Sequence, residues 1–316
     1  MAGAWLPVAP IWAQQKLRRV GCLFAGSPRT HDRLLKALSA GLAQHGWIES
    51  RSVALDVRWA EGKMERVPPL VADVVRSKPE VIVTAANALI AEVAKATSSI
   101  PIVMAAGSDP VEWGLAQSLA RPGGNVTGVT GFYESTPIKM LELVTALVGR
   151  GARVEAMVES NTPFSRPRYR NEIAATAKTL DLHWKFVDVS TPEDVARAME
   201  SLVRSPPSAL VVLPGPMMFA LGSDLVRRAD NLSIPTIYPF EEMAEAGGLA
   251  SYAVDLADNY RRAAAYVDRI LRGAAAGELP IEQPTRLWLT LNLGTAKRLG
   301  IRIPRDVLAQ ADRIIE

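Results

Sequence analysis

The chain has 316 residues, 48% of them hydrophobic and 22% charged, which is ordinary for a globular protein with enough material for two cores. Its 36 Lys and Arg against 33 Asp and Glu leave a net charge of +3, scattered with no basic run and no interleaved aromatics, which argues against nucleic acid as a partner. A single cysteine, Cys22, excludes an internal disulfide, and His31, His45 and His183 lie too far apart for a local metal motif, so no metal and no cofactor are expected.

Residues 1–13 are apolar and rich in Ala, Pro and Trp, and Gln14-Gln15 then precede Lys16-Leu17-Arg18-Arg19. Residues 1–15 read as the back half of a secretory signal, with Ala13 at the cleavage point, or as a disordered tail. From Val20 the pattern is strand, loop, helix, repeated. Strands are predicted over 20–24, 53–59, 81–84, 101–105 and 126–129, with helices over 31–45, 64–76, 88–96 and 111–119. In the first helix Leu34, Leu35, Leu38 and Leu42 fall at helical spacing, and Gly46 ends it. Before the fourth helix, Asp109 suits an N-cap and Pro110 the first helical position.

A second set begins after Gly131. Strands are predicted over 153–159, 183–187, 209–213, 235–238 and 249–252, with helices over 137–148, from the loop at 160–166 to 180, from 191 to 204, and from 216 to 229. An amphipathic helix over 255–271, a strand over 287–291 and two helices finish the chain. Two successive five-strand βα sets imply an α/β protein of two similar parallel-sheet lobes. The joins at Gly131 and Tyr252 suit a chain that crosses between the lobes more than once.

No nucleophile elbow, phosphate loop or dinucleotide fingerprint occurs, so no catalytic residue is assigned and no enzyme is expected. The informative residues sit in the loops at the carboxyl ends of the strands, where open α/β sheets bind ligands. In the first set these are Ser27 and Arg29; Thr84, Ala85, Ala86 and Asn87; and Ser108 and Asp109. In the second they are Asn161; Pro214, Gly215 and Pro216; and Phe240. Small residues let backbone N–H groups approach a ligand, hydroxyls and amides meet its polar groups, and a ring such as Phe240 covers an apolar face. Ser27, Thr84 and Asn161 read equally as helix-capping residues, and Asp109 reads as a cap first and a ligand group second. Arg29 offers a fork for a carboxylate, against the default of a solvated arginine.

Several segments carry a resemblance. They are Gly107-Ser108-Asp109-Pro110-Val111, Leu119-Ala120-Arg121-Pro122-Gly123-Gly124-Asn125-Val126-Thr127-Gly128, Arg58-Trp59-Ala60-Glu61-Gly62, Glu245-Ala246-Gly247-Gly248-Leu249-Ala250-Ser251-Tyr252, Glu282-Gln283-Pro284-Thr285 and Asn292-Leu293-Gly294-Thr295-Ala296-Lys297. With these in order, the chain resembles the TrpX-like group of ABC transporter substrate-binding proteins from about residue 19 to its end. The resemblance implies the type I periplasmic binding protein fold, two α/β lobes joined by a multi-strand hinge. It places residues 16–130 and 253–285 in the first lobe and 131–252 and 286–316 in the second. It further implies an exported, periplasmic monomer with a truncated signal. Such a protein closes over a small molecule, an aromatic or other amino acid among the candidates, and delivers it to an ABC permease in the membrane. The alternatives are a ligand-sensing receptor domain of a signalling system and, further off, a small-molecule enzyme on the same scaffold.

Overall fold

The computed structural model describes residues 17–131, 134–160 and 162–316. The expectations for residues 1–15 and for Asn161 lie outside the described residues. Strands β1 (Arg18–Phe24), β2 (Val53–Trp59), β3 (Val81–Ala85), β4 (Ile102–Ala106) and β5 (Val126–Gly128) form a parallel sheet of order β2-β1-β3-β4-β5. Between them run α1 (Pro28–Gln44), α2 (Val67–Arg76) and α3 (Asn87–Ala96). The central strands read as continuous apolar runs because helices cover both faces. Val20, Cys22 and Phe24 point into one core, with Leu38 and Leu42 of α1, while Leu23, Ile82 and Met104 point into the other, with Val71 of α2 and Ile90 of α3.

The second sheet contains β6 (Arg153–Glu159), β7 (His183–Val189), β8 (Ala209–Val212), β9 (Thr236–Tyr238), β10 (Ala250–Ala253), β11 (Trp288–Asn292) and β12 (Arg313–Ile315), in the order β12-β11-β10-β9-β8-β6-β7. Its helices are α4 (Thr136–Val148), α5 (Pro167–Thr179), α6 (Pro192–Arg204), α7 (Pro216–Ala220), α8 (Gly222–Asn231) and α9 (Glu241–Glu245). Helix α10 (Leu256–Leu271) follows, and α11 (Leu293–Arg298) and α12 (Arg305–Gln310) end the helical part. The start of α6 is fixed by a capping box. The Thr191 hydroxyl accepts from Asp194 N at 3.1 Å, and the Asp194 carboxylate accepts from Thr191 N at 3.0 Å.

The chain passes between the sheets three times. It leaves the first sheet after β5 and returns after β10, where Ala263, Ala264 and Val267 of α10 pack into the core with Leu38 and Leu42. It leaves again beyond Glu282, which is bridged to Val129, and enters β11. This last passage explains a departure from the all-parallel expectation. β10 runs toward the first lobe and β11 comes back from it, so the two pair antiparallel.

Three further expectations are corrected. The helix predicted over 111–119 is a series of turns. The Asp109 carboxylate accepts from Val111 N at 2.9 Å and Glu112 N at 3.2 Å, but Gly114 then turns left-handed at φ 67°, which stops propagation after one turn. The single helix predicted to reach residue 229 is two, α7 and α8, broken at Leu221. β12 was not predicted because three residues are too short to show a period. Its register is held by Asp312, which accepts from Leu289 N at 2.8 Å. Among the described residues no helix is long and apolar enough to cross a membrane.

Candidate ligand-binding site

In each sheet the strand order reverses at one point, between β1 and β3 in the first and between β6 and β8 in the second. The carboxyl ends of strands at such a reversal leave a crevice where the following loops part. The two crevices face each other and enclose one cavity of about 360 Å³. The first lobe contributes Phe24 at the end of β1 and Ala25 after it, His31 and Leu34 of α1, Ala85 at the end of β3 with Ala86 and Asn87 after it, and Gly107 and Ser108 after β4. The second contributes Glu159 at the end of β6, Ser160, Thr162 and Phe164 after it, Pro214, Gly215, Pro216 and Phe219 after β8, and Phe240. Trp113 and, from α10, Tyr260 complete the aromatic lining.

Of the residues singled out in the sequence, Ala85, Ala86, Asn87, Ser108, Pro214, Gly215, Pro216 and Phe240 line this cavity together. The loops carrying them are held by local bonds. Asn87 accepts from Ser108 N at 2.8 Å through Oδ1 and donates to the Ser108 hydroxyl through Nδ2, tying the loop after β3 to the loop after β4. Ala86, just before α3, has φ 65°, a strained conformation for a residue with a Cβ. Ser27, Arg29, Thr84 and Asp109 are not part of the wall. Ser27 opens α1, donating from its backbone N to the Thr30 hydroxyl at 3.1 Å. The Thr84 hydroxyl is buried and donates to Leu23 O at 2.9 Å, the Asp109 carboxylate is taken by its own turn, and Arg29 is exposed.

The residue that sequence reasoning missed is Glu159, the last of β6 and one position before the loop named above. Its Oε2 accepts from Met217 N at 2.9 Å and Met218 N at 3.4 Å, at the start of α7. Gly215 makes this approach possible, since a Cβ there would lie 2.2 Å from the same oxygen. Burial pushes the Glu159 carboxyl up to about 7, against the pull of the two backbone donors. Among the described residues of the wall Glu159 is the one acid, and no lysine or arginine joins it. His31 also lines the wall; burial lowers it to about 4, so it is neutral. Its Nδ1 lies 2.8 Å from the Thr30 hydroxyl.

The lobes touch over the cavity. The Phe219 ring of the second lobe meets His31 of the first edge-on at 5.0 Å and Phe240 at 4.9 Å. At the rim, Arg33 of α1 reaches Glu241 at 3.1 Å and Glu242 at 3.4 Å on the facing lobe, and Arg166 pairs with Glu112. Burial works against it, yet hydrogen bonds from Arg313 and Arg33 keep the Glu241 carboxyl below its ordinary range. Each exposed pair contributes only about 0–1 kcal/mol, so together they form a weak latch that a domain motion can open. Among the described residues no cluster of His, Cys, Asp and Glu has the arrangement of a metal site, and Cys22 is buried with its thiol pushed up to about 12.

The fold has clear relatives. A tyrosine-binding protein of Clostridioides difficile is 25% identical over 272 residues, 86% of this chain and 77% of that one. The structure of an ABC domain from Streptococcus pneumonia in complex with L-Trp superposes with a TM-score of 0.86 at 26% identity, covering 95% of this chain and all of that one. The ligand-free, open structure of a substrate-binding protein from Clostridium difficile shares the fold at 20% identity, with a TM-score of 0.68 over 95% of this chain and 99% of that one. Both lobes belong to the type I periplasmic binding protein fold, seen also in a solute-binding protein from Agrobacterium vitis with bound allitol. The family model described as ABC transporter substrate binding protein matches residues 27–315, and the chain belongs to that family.

Proposed function

We propose that this protein captures an aromatic amino acid in the cavity between its lobes and hands it, unchanged, to an ABC permease at the outer face of the cytoplasmic membrane. The carrying observation is the wall itself. Phe164, Phe219, Phe240, Trp113 and Tyr260 surround a volume suited to one small molecule, and both lobes supply the contacts. The relatives named for tyrosine and solved with L-Trp support the same class. The ligand-contacting set we assign is Ala85–Asn87, Ser108, Pro214–Pro216 and Phe240, to which the sequence adds Asn161. The mobile units are residues 16–130 with 253–285 and residues 131–252 with 286–316. They move about the three crossings, and the Arg33 and Arg166 pairs close over bound ligand. The protein works as an exported monomer with no chemical turnover.

Thermal unfolding with L-tryptophan, L-tyrosine and L-phenylalanine tests the reading. At least one of them is expected to raise the melting temperature progressively with its concentration, because a ligand held only by the folded state adds about 2.7 kcal/mol at a hundredfold excess over its dissociation constant. A folded protein whose melting temperature none of the three moves, even at millimolar concentration, would contradict it.

A further inference from the structure

We infer that Glu159 is the counter-ion for a primary ammonium on the ligand, so that the site selects amine-bearing aromatic compounds over their deaminated counterparts. This rests on the proposed function above and adds the charge that the ligand must carry. The Glu159 carboxylate is anchored through one oxygen. Oε2 takes the Met217 and Met218 N–H groups, and Oε1 has no hydrogen-bond or ion-pair partner among the described residues. The side chain lines the cavity, and no lysine or arginine stands on the described wall to balance it. Glu159 is half-buried, and a carboxylate with one oxygen open to the cavity and no cation beside it gains a charge-assisted partner when a ligand ammonium replaces the water there. The two N–H groups fix the carboxylate's direction before the ligand arrives, so little ordering is left to binding.

The same geometry gives a pH dependence. With the cavity empty, burial holds the Glu159 carboxyl near 7. The groups facing it from α7 and the loop before it are backbone N–H and glycine, which do not titrate. On the first lobe's side of the cavity, His31 is neutral above about 4 and burial raises the Tyr260 hydroxyl, so neither changes charge between pH 6 and pH 8. A ligand ammonium favours the ionised carboxylate. Affinity for an amine-bearing ligand therefore falls as the pH drops below 7, by up to about tenfold per unit.

Calorimetric titration with matched pairs tests this. The probes are L-tryptophan with 3-indolepropionate and L-tyrosine with 3-(4-hydroxyphenyl)propionate, on the wild type and on Glu159→Gln. The glutamine keeps a carbonyl oxygen for the Met217 and Met218 N–H groups, and its circular dichroism and melting temperature verify the fold. The wild type is expected to bind at least one amino acid about a hundredfold more tightly than its deaminated partner. Glu159→Gln should weaken the amino acid by about thirtyfold, change the deaminated acid by less than about threefold, and lose the pH dependence. Equal binding within each pair by the wild type, or unchanged amino-acid affinity in a folded Glu159→Gln, overturns the inference and leaves the proposed function standing. Failure of the wild type to bind any of the four or L-phenylalanine overturns both.

Discussion

Gly128→Ala will lower the melting temperature of the protein by about 10 °C. Gly128 closes β5 at φ 126°, outside the range that residues with a Cβ adopt. A Cβ built there lies 2.2 Å from Met104 O and 2.7 Å from Met104 N, which are backbone atoms of the neighbouring β4 and have nowhere to go. The strained backbone costs about 1–3 kcal/mol and the overpacking a similar amount. Together they reach about 4 kcal/mol, and in a chain of this size each kcal/mol corresponds to about 2–4 °C. Gly124→Ala, four residues earlier in the same segment, is the control. A Cβ at Gly124 meets nothing within 4 Å, and the melting temperature should stay within about 2 °C. Scanning calorimetry on the two variants checks the pair; equal shifts would show that the β4–β5 approach is not what fixes Gly128.

Phe219→Ala will weaken ligand binding by about fiftyfold while leaving the unliganded fold nearly as stable as before. The ring sits at the junction of the two lobes, edge-on to His31 and to Phe240, and lines the cavity. Its removal takes away an aromatic wall and the contact that excludes water between the lobes, a combination that at buried interfaces costs about 2–3 kcal/mol. Phe240→Ala removes a ring from the same wall without breaking the contact to His31, and a loss of about 1–2 kcal/mol is expected there. Calorimetric titration with whichever aromatic amino acid the wild type binds gives both numbers. An affinity within about threefold of wild type in a folded Phe219→Ala would remove the ring from the site.

The sequence made the first lobe readable because its strands are covered on both faces. A run such as Val20-Gly21-Cys22-Leu23-Phe24 has no polar alternation to confuse with a surface strand. Local signals failed where local forces were outvoted. Asp109 and Pro110 are good helix-start residues, but Gly114 takes the left-handed turn and the helix never propagates. β12 exists only because β11 offers an edge, and the antiparallel entry of β11 follows from a passage through the other lobe. The site divides in the same way. The loops after β3, β4 and β8 were legible as cavity wall because the carboxyl ends of parallel strands leave a crevice at a reversal of strand order. Ser27, Thr84 and Asp109 spend their polar atoms on their own backbone surroundings. Glu159 was hidden at the end of a strand that read as core, and Tyr260 reaches the cavity from a helix more than two hundred residues away from β1 in the chain.

The claim on which the account rests is that ligand lies between the lobes, bridging them. The most direct measurement is a crystal structure of the protein loaded with the aromatic amino acid that stabilises it. The account predicts one molecule in the cavity, its ring against Phe219 and Phe240 and its amine nitrogen about 3 Å from a Glu159 carboxylate oxygen. A stoichiometric ligand bound on an outer face of either lobe, with the space between Glu159 and Phe240 filled only by water, would contradict it.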